Sequence, residues 1–274
     1  MKGSLKISGD KSISHRSILL GAMSVGETKI SNLLESKDTL STINILRKLG
    51  VIIKKRDNKW IVNGVGTCGF IQPKVALDCG NSGTTSRLLF GAVATNPIFC
   101  TFIGDNSLSS RPMSRITEYL SKVGAEISLT RKNYLPLTIK GSQNLLPLKH
   151  TIMKPSAQVK SSLMLAALNI SGQTTVVEKI PTRDHTEILF RYLNIKFKKE
   201  ILKNKKTILK IFGPVEIKAK NISVASDPSS AAFFIVGALI LPGSDIEIKD
   251  VCLNKTRIAY IQVLKKMVLK KLLT

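Results

Sequence analysis

The sequence predicts an α/β protein built from repeated β-α-β-α-β-β modules. Two observations carry this. A Ser-rich polar turn recurs, with Ser12 to Ser82, Ser82 to Ser156 and Ser156 to Ser229 separated by 70, 74 and 73 residues. An amphipathic helical pattern keeps the same step, since Leu46, Leu120, Leu193 and Leu264 lie 74, 73 and 71 residues apart. Three full modules and part of a fourth fit the 274 residues. Such units exceed the roughly 20–50 residues of solenoid repeats, and they pack as α/β domains with helices covering sheets.

In the first unit a short strand, Leu5-Lys6-Ile7, leads into the polar stretch Gly9-Asp10-Lys11-Ser12-Ile13-Ser14-His15-Arg16. The apolar run Ile18 to Met23 predicts a helix, Thr28-Lys29-Ile30 a strand, and Asp38 to Leu49 a second helix with Ile43, Leu46 and Leu49 on one face. Trp60-Ile61-Val62 reads as a strand ended by Asn63-Gly64. The second unit repeats this with the turn Gly80 to Arg87, helix Leu88 to Ala94, strand Phe99 to Ile103, helix Met113 to Val123 and strand Leu137-Thr138-Ile139. The third has the turn Pro155 to Ser162, helix Leu163 to Leu168, strand Thr174 to Val177, helix Thr186 to Leu193, and a Lys-rich strand pair around Lys196 to Lys206. The fourth opens with Ser226-Asp227-Pro228-Ser229-Ser230. It continues with helix Ala231 to Ile240, strand Ile246 to Ile248 and a helix from about Thr256. Small residues in the first helix of each unit, among them Gly21, Gly91, Ala166, Ala231 and Gly237, predict that these helices are buried and pack on each other.

Composition narrows the function. No apolar run of about 18 residues indicates a membrane span, and the N-terminal residues lack an apolar signal-peptide core; a cytoplasmic protein is expected. Cys68, Cys79, Cys100 and Cys252 show no metal-ligand spacing and are expected as free thiols. The 42 Lys+Arg against 18 Asp+Glu give a net charge of +24. The lysines are dispersed and no stacking aromatics interleave with them, so an anionic small substrate is expected rather than nucleic acid.

If the modules surround a pseudo-rotation axis, their polar turns converge on one anion-binding region. Lys11, Arg16, Arg87, Arg111, Lys160 and Arg183 lie at or near helix starts, beside Ser12, Ser14, Asn81, Thr84, Ser156 and Gln158. Helix N-termini and Arg forks both favour phosphate and carboxylate. Gly80-Asn81-Ser82-Gly83-Thr84-Thr85 resembles a phosphate-cradling loop, although it fits neither G-x-x-x-x-G-K-[ST] nor G-x-G-x-x-G. Arg183-Asp184-His185-Thr186-Glu187 holds one His and no H-E-x-x-H; it is read as a helix cap beside an Arg ligand, with no metal expected. His15 is read as a polar turn residue rather than a base. These residues alone indicate an α/β enzyme for a small, multiply anionic substrate.

The motifs, taken together, resemble the EPSP synthase family of enolpyruvyl transferases. The matching stretches are Gly9 to Arg16, Gly80 to Leu88, Gly104-Asp105 with Leu108 to Met113, Ser156 to Ser161, Arg183 to Glu187, and Asn254-Lys255-Thr256-Arg257. They fall in order across nearly the whole chain. The D-K-S, S-A-Q-x-K, R-x-H-x-E and N-x-T-R set resembles the glyphosate-tolerant subgroup.

The resemblance implies transfer of the enolpyruvyl group of phosphoenolpyruvate to the 5-hydroxyl of shikimate 3-phosphate, without metal or organic cofactor, by a monomer with no membrane or nucleic-acid partner. It implies that Lys11 is catalytic and contacts both substrates, with cationic neighbours around it. Shikimate 3-phosphate would be bound by Lys11, Ser12, Arg16, Ser156, Ala157, Gln158 and Arg183. Phosphoenolpyruvate would be bound by Lys11, Asn81, Gly83, Thr84, Arg111 and Gln158. A methyl at Gly83 is expected to impair the bulkier glyphosate selectively.

The family fold implied is a two-domain, inside-out α/β barrel with three modules per domain. On that pattern residues 11–222 form the first domain, and residues 1–10 with 223–274 form an incomplete second one. The chain is accordingly expected to be C-terminally truncated, and inactive or very weak alone while still binding shikimate 3-phosphate.

Overall fold

The computed structural model describes residues 1–130 and 133–272. The first elements are β1 (Lys2–Lys6), α1 (Lys11–Ala22), β2 (Ser24–Ser31), α2 (Lys37–Lys48), β3 (Ile52–Arg56) and β4 (Lys59–Val65). There follow β5 (Leu77–Asp78), α3 (Gly83–Val93), β6 (Phe99–Ile103), α4 (Asn106–Ser109), α5 (Ser114–Lys122), β7 (Glu126–Thr130) and β8 (Tyr134–Lys140). The third group is β9 (Lys149–Ile152), α6 (Ala157–Ala166), β10 (Gly172–Glu178), α7 (His185–Tyr192), β11 (Phe197–Ile201) and β12 (Thr207–Gly213). The last is β13 (Ile217–Lys218), β14 (Ile222–Ser223), α8 (Pro228–Ile240), β15 (Asp245–Lys249) and α9 (Ala259–Leu272).

Two four-stranded sheets share one order, β5-β6-β8-β7 and β9-β10-β12-β11. In each the first pair is parallel and the other pairs are antiparallel. A third sheet repeats the pattern with β2, β4 and β3, but its parallel edge comes from β13 and β14, which pair with the two ends of β2. β1 instead runs parallel to β15, from Lys2 opposite Asp245 to Lys6 opposite Lys249. Two chain crossings lie side by side here. The Asp10 amide donates to the Ala225 carbonyl at 2.8 Å, and the Asp227 amide to the Ser8 carbonyl at 3.0 Å.

The polar stretches are not turns ahead of the helices, as the sequence suggested, but their first turns. The helices begin at Lys11, Gly83, Ala157 and Pro228 rather than at Ile18, Leu88, Leu163 and Ala231. The cause is local. Asp10, Ser82, Ser156 and Asp227 act as N-caps, each accepting from a backbone amide two or three residues on. Serines inside the helices turn their hydroxyls back on carbonyls, Ser14 on Asp10 at 2.8 Å and Ser161 on Ala157 at 2.6 Å. The fourth unit's second helix also starts later than expected, at Ala259.

Small residues bring α3 and α6 together. A Cβ on Gly91 would lie 2.1 Å from the Ser162 carbonyl oxygen, so only glycine permits this approach. α1 is buried from Ser14 through Ala22. The expectation of burial fails for α8. Only its Pro228 and Ala231 are buried, while Phe233 is 83% and Ile240 70% exposed. Among the described residues α8 packs mainly along β15, which leaves its other faces uncovered.

All three histidines are buried. Burial holds each well below the ordinary value of 6.5: His15 at about 3, His150 at about 4 and His185 at about 4. His15 is therefore not a turn residue; it lies inside α1 with Nδ1 2.8 Å from the Thr42 hydroxyl. The folded state keeps these rings neutral, whereas the unfolded chain protonates them below 6.5. Stability is therefore full above that pH and falls as pH drops toward 4, by up to about 1.4 kcal/mol per pH unit for each His. Urea unfolding between about pH 7.5 and 5 should show this fall, and His15→Gln should reduce it. A flat profile would contradict neutral burial.

Candidate active site

The starts of α1, α3 and α6 are tied together by side chains. Gln158, in the first turn of α6, donates from Nε2 to the Thr84 hydroxyl of α3 at 3.0 Å and accepts from Arg87 Nη1 at 2.9 Å. Arg16 in α1 donates from Nη2 to Ser161 at 2.7 Å and from Nε to Thr186 at 2.7 Å, linking α1 to α6 and α7. Thr85 lies 2.8 Å from Thr42, joining α3 to α2. One charged residue brings in α8: Arg257 donates to the N-cap carboxylates of Asp10 at 2.6 Å and Asp227 at 3.2 Å.

Around Gly83 the geometry is compact. Arg111 donates to Asn81 Oδ1 at 2.6 Å and to the Ser107 hydroxyl at 3.0 Å. Asn81 in turn donates to Asp105 at 2.7 Å. Asp105 caps α4, and the Leu108 amide, followed by the Asn81 side chain, holds its carboxyl below the usual range. A Cβ on Gly83 would stand 2.6 Å from Arg87 Nη1 and 3.4 Å from Arg111 Nη1. Glycine thus leaves a niche between two guanidinium groups. Partial burial lowers the pKa of Arg87, and the nearby Arg111 and Arg115 charges lower it further. Cations crowded in this way are stabilised by an anion between them.

A second opening lies beside this niche. It is an open cleft of about 680 Å³ lined by Pro155, Ser156, Ala157, Gln158, Pro181, Thr182, Arg183, Lys255, Thr256 and Ala259. Gln158 lies at the boundary between cleft and niche. Ser156 caps α6, and the first turn of that helix, where backbone amides lack intrahelical partners, forms one wall of the cleft.

Of the residues singled out from sequence, Ser156, Ala157, Gln158 and Arg183 share the cleft, and Asn81, Gly83, Thr84 and Arg111 surround the niche. Ser12 and Lys11 form the first turn of α1. The charged group against Lys11 is the Asp38 carboxylate, an anion where cationic neighbours were expected. Arg16 is only 5% exposed, and burial lowers its pKa to about 10. Three of its five N–H donors are engaged by Ser12, Ser161 and Thr186, leaving two.

Lys160, grouped with the anion-binding cations by sequence, is instead fully buried against Glu178 at 3.0 Å and Glu187 at 2.8 Å. Neither Glu187 oxygen receives a well-directed hydrogen bond, so that pairing is Coulombic. Asp184 does not cap α7; its carboxylate accepts from Asn254 at 2.9 Å. Arg87 was grouped with the cations at helix starts but given no ligand role, although it stands beside Gly83 in the niche. Its signal was spacing, since it follows Gly83 by one helical turn on the same face.

Residues 1–271 match the family model for EPSP synthase (3-phosphoshikimate 1-carboxyvinyltransferase). The chain belongs to the EPSP synthase family. The 3-phosphoshikimate 1-carboxyvinyltransferase of Novosphingobium aromaticivorans is 48% identical over 268 residues, covering 97% of this chain and 61% of that protein. The protein of the same name from Sphingopyxis alaskensis is 46% identical over 272 residues, again covering 97% and 61%. An EPSP synthase structure from Acinetobacter baumannii superposes with a TM-score of 0.90 at 41% identity, covering 97% of this chain and 59% of that one. The chain thus spans about 60% of the length of these EPSP synthase relatives. The α/β architecture expected from the repeat is that of the EPSP synthase family. No helix among the described residues is long and apolar enough to cross a membrane.

Proposed function

We propose that the chain binds shikimate 3-phosphate in the Ser156–Arg183 cleft and phosphoenolpyruvate in the niche at Gly83, and serves enolpyruvyl transfer between them. The observation that carries this is Gln158. It lines the cleft with one face and bonds Thr84 and Arg87 of the niche with its amide, so two anion sites meet at one side chain.

In this reading Arg183 and the amide-rich start of α6 hold the shikimate phosphate, with Ser156 and Ala157 beside it. Ser12 and the two remaining donors of Arg16 are assigned to the shikimate ring. Arg111 and Arg87 grip the phosphate of phosphoenolpyruvate, and Asn81 orients Arg111. Lys11 sits between the ligands as the proton-carrying group. Substrate would compete with Asp38 for its ammonium, which frees it to donate where charge develops. No organic cofactor or metal is required for this addition and elimination, and the proposed unit is a monomer acting in the cytoplasm.

The proposed division places residues 11–222 in one domain and residues 1–10 with 223–274 in another. It is supported by β1, which pairs with β15 and not with the β2 sheet. The same cleft also supports a second reading, binding of shikimate 3-phosphate without turnover, because Ser156, Ala157, Gln158 and Arg183, four residues proposed for that ligand, line it together. The deciding assay is release of inorganic phosphate from phosphoenolpyruvate, with and without shikimate 3-phosphate. Release that requires both substrates supports the enzyme. Binding without release supports the second reading, and neither would refute both.

Gly83→Ala tests the niche. The added methyl meets the movable end of Arg87, not backbone, so the fold should be kept within about 1 kcal/mol. Displaced Arg87 should weaken phosphoenolpyruvate binding, and glyphosate binding more. Equal weakening of the two would count against a niche read by size.

A further inference from the structure

The cleft has three walls that are distant in sequence: residues 155–158, residues 181–183 and residues 255–256. Two side chains outside its lining join them. Lys160, one turn beyond Ser156, donates to Glu178 at 3.0 Å and to the carbonyl of Thr182 at 3.4 Å. The Thr182 hydroxyl donates to the same Glu178. Asn254 donates to the Asp184 carboxylate at 2.9 Å. Its own side-chain oxygen accepts from the Thr256 amide at 2.9 Å and the Thr256 hydroxyl at 2.8 Å. The residues before and after Arg183 are thus held from opposite sides, Thr182 by α6 and Asp184 by the 254–256 turn. The exposed Arg183 side chain projects from between two fixed points.

We propose that Lys160 and Asn254 are positioning residues for the bound anion. They clamp the two neighbours of Arg183 and so set its guanidinium against the Ser156–Gln158 wall, with Lys255 carried in on the third wall as a further cation for the same phosphate. An unclamped loop would have to be ordered on binding, at a cost to affinity. The inference rests on the cleft being the shikimate 3-phosphate site. The clamp itself can be read without any ligand.

Two variants keep the fold testable. Asn254→Ala removes a half-buried amide. Lys160→Met with Glu187→Gln removes one buried cation and one buried anion together, and the Thr182 hydroxyl still donates to Glu178, so no net buried charge is added. In both, amide hydrogen exchange at residues 182–184 should quicken about tenfold or more relative to the core strands. Calorimetry with shikimate 3-phosphate supplies the second reading. Arg183→Ala should weaken binding about tenfold in the native chain but less than about threefold in either variant, because a mispositioned Arg183 has less to lose.

Unchanged exchange at 182–184, or an undiminished Arg183 effect, would overturn the proposal. If the native chain gives no heat with shikimate 3-phosphate while exchange quickens, the substrate reading fails and the clamp stands. Inorganic phosphate then replaces the ester in the Arg183 comparison.

Discussion

Lys160→Met alone is expected to lower the unfolding free energy by about 3–5 kcal/mol. Lys160 is fully buried, and its ammonium lies between Glu178 and Glu187, both 2% exposed or less. Removing it strands two carboxylates out of water, one of which, Glu187, receives no directed hydrogen bond. The nearby Arg16 cannot replace it, because its contacts run to Ser12, Ser161 and Thr186. Urea unfolding should show the loss as a lower midpoint at unchanged slope. Adding Glu187→Gln should recover a substantial part of it. A single variant as stable as the native protein would mean that the cluster takes up protons or water readily, against its observed burial.

Gly91→Val is expected to cost about 3 kcal/mol or more, because the clash is with backbone and cannot be relieved by a rotamer. The Cβ position stands 2.1 Å from the Ser162 carbonyl oxygen, so α3 and α6 must move apart. That movement also separates Thr84 from Gln158, which joins the two proposed anion sites. Thermal unfolding and shikimate 3-phosphate binding should therefore fail together. Gly237→Ala in α8 is the contrast. Its new methyl would meet only the Met1 sulfur, at 3.4 Å, and stability should stay within about 0.5 kcal/mol. Native-like stability of Gly91→Val would show that α3 and α6 are not locked as described.

The second helices of the first three units were legible because each carries a one-sided apolar pattern. Strand β6 has the bounds expected, and α2, α5 and α7 lie within a residue or two of expectation. The starts of α1, α3 and α6 were not legible, since Ser- and Thr-rich stretches favour turns until one sees their hydroxyls bonded back to helix carbonyls. Pairing partners were hidden too. Nothing local to residues 217–223 says that they complete the sheet of β2, or that β1 pairs with β15.

The site was half legible. Residue type identified the cations but could not say which face ligand and which face carboxylates. Lys160 and Arg183 both lie near helix starts in similar polar stretches. One is buried between two glutamates and the other opens on the cleft, a difference set by tertiary neighbours alone. The stretches that resembled a list of ligands also contain their own bracing. Asp10 meets Arg257, Asp184 meets Asn254, and Lys160 meets Glu187.

The central claim is that the start of α6, with Arg183, forms an anion-binding cleft that Gln158 joins to the niche at the start of α3. Calorimetric titration of shikimate 3-phosphate into the 274-residue protein tests it most directly. One site is expected, which weakens with added salt and loses about tenfold or more in affinity in Arg183→Ala and in Gln158→Ala. Absence of binding at millimolar ligand, or binding that neither substitution changes, would contradict it.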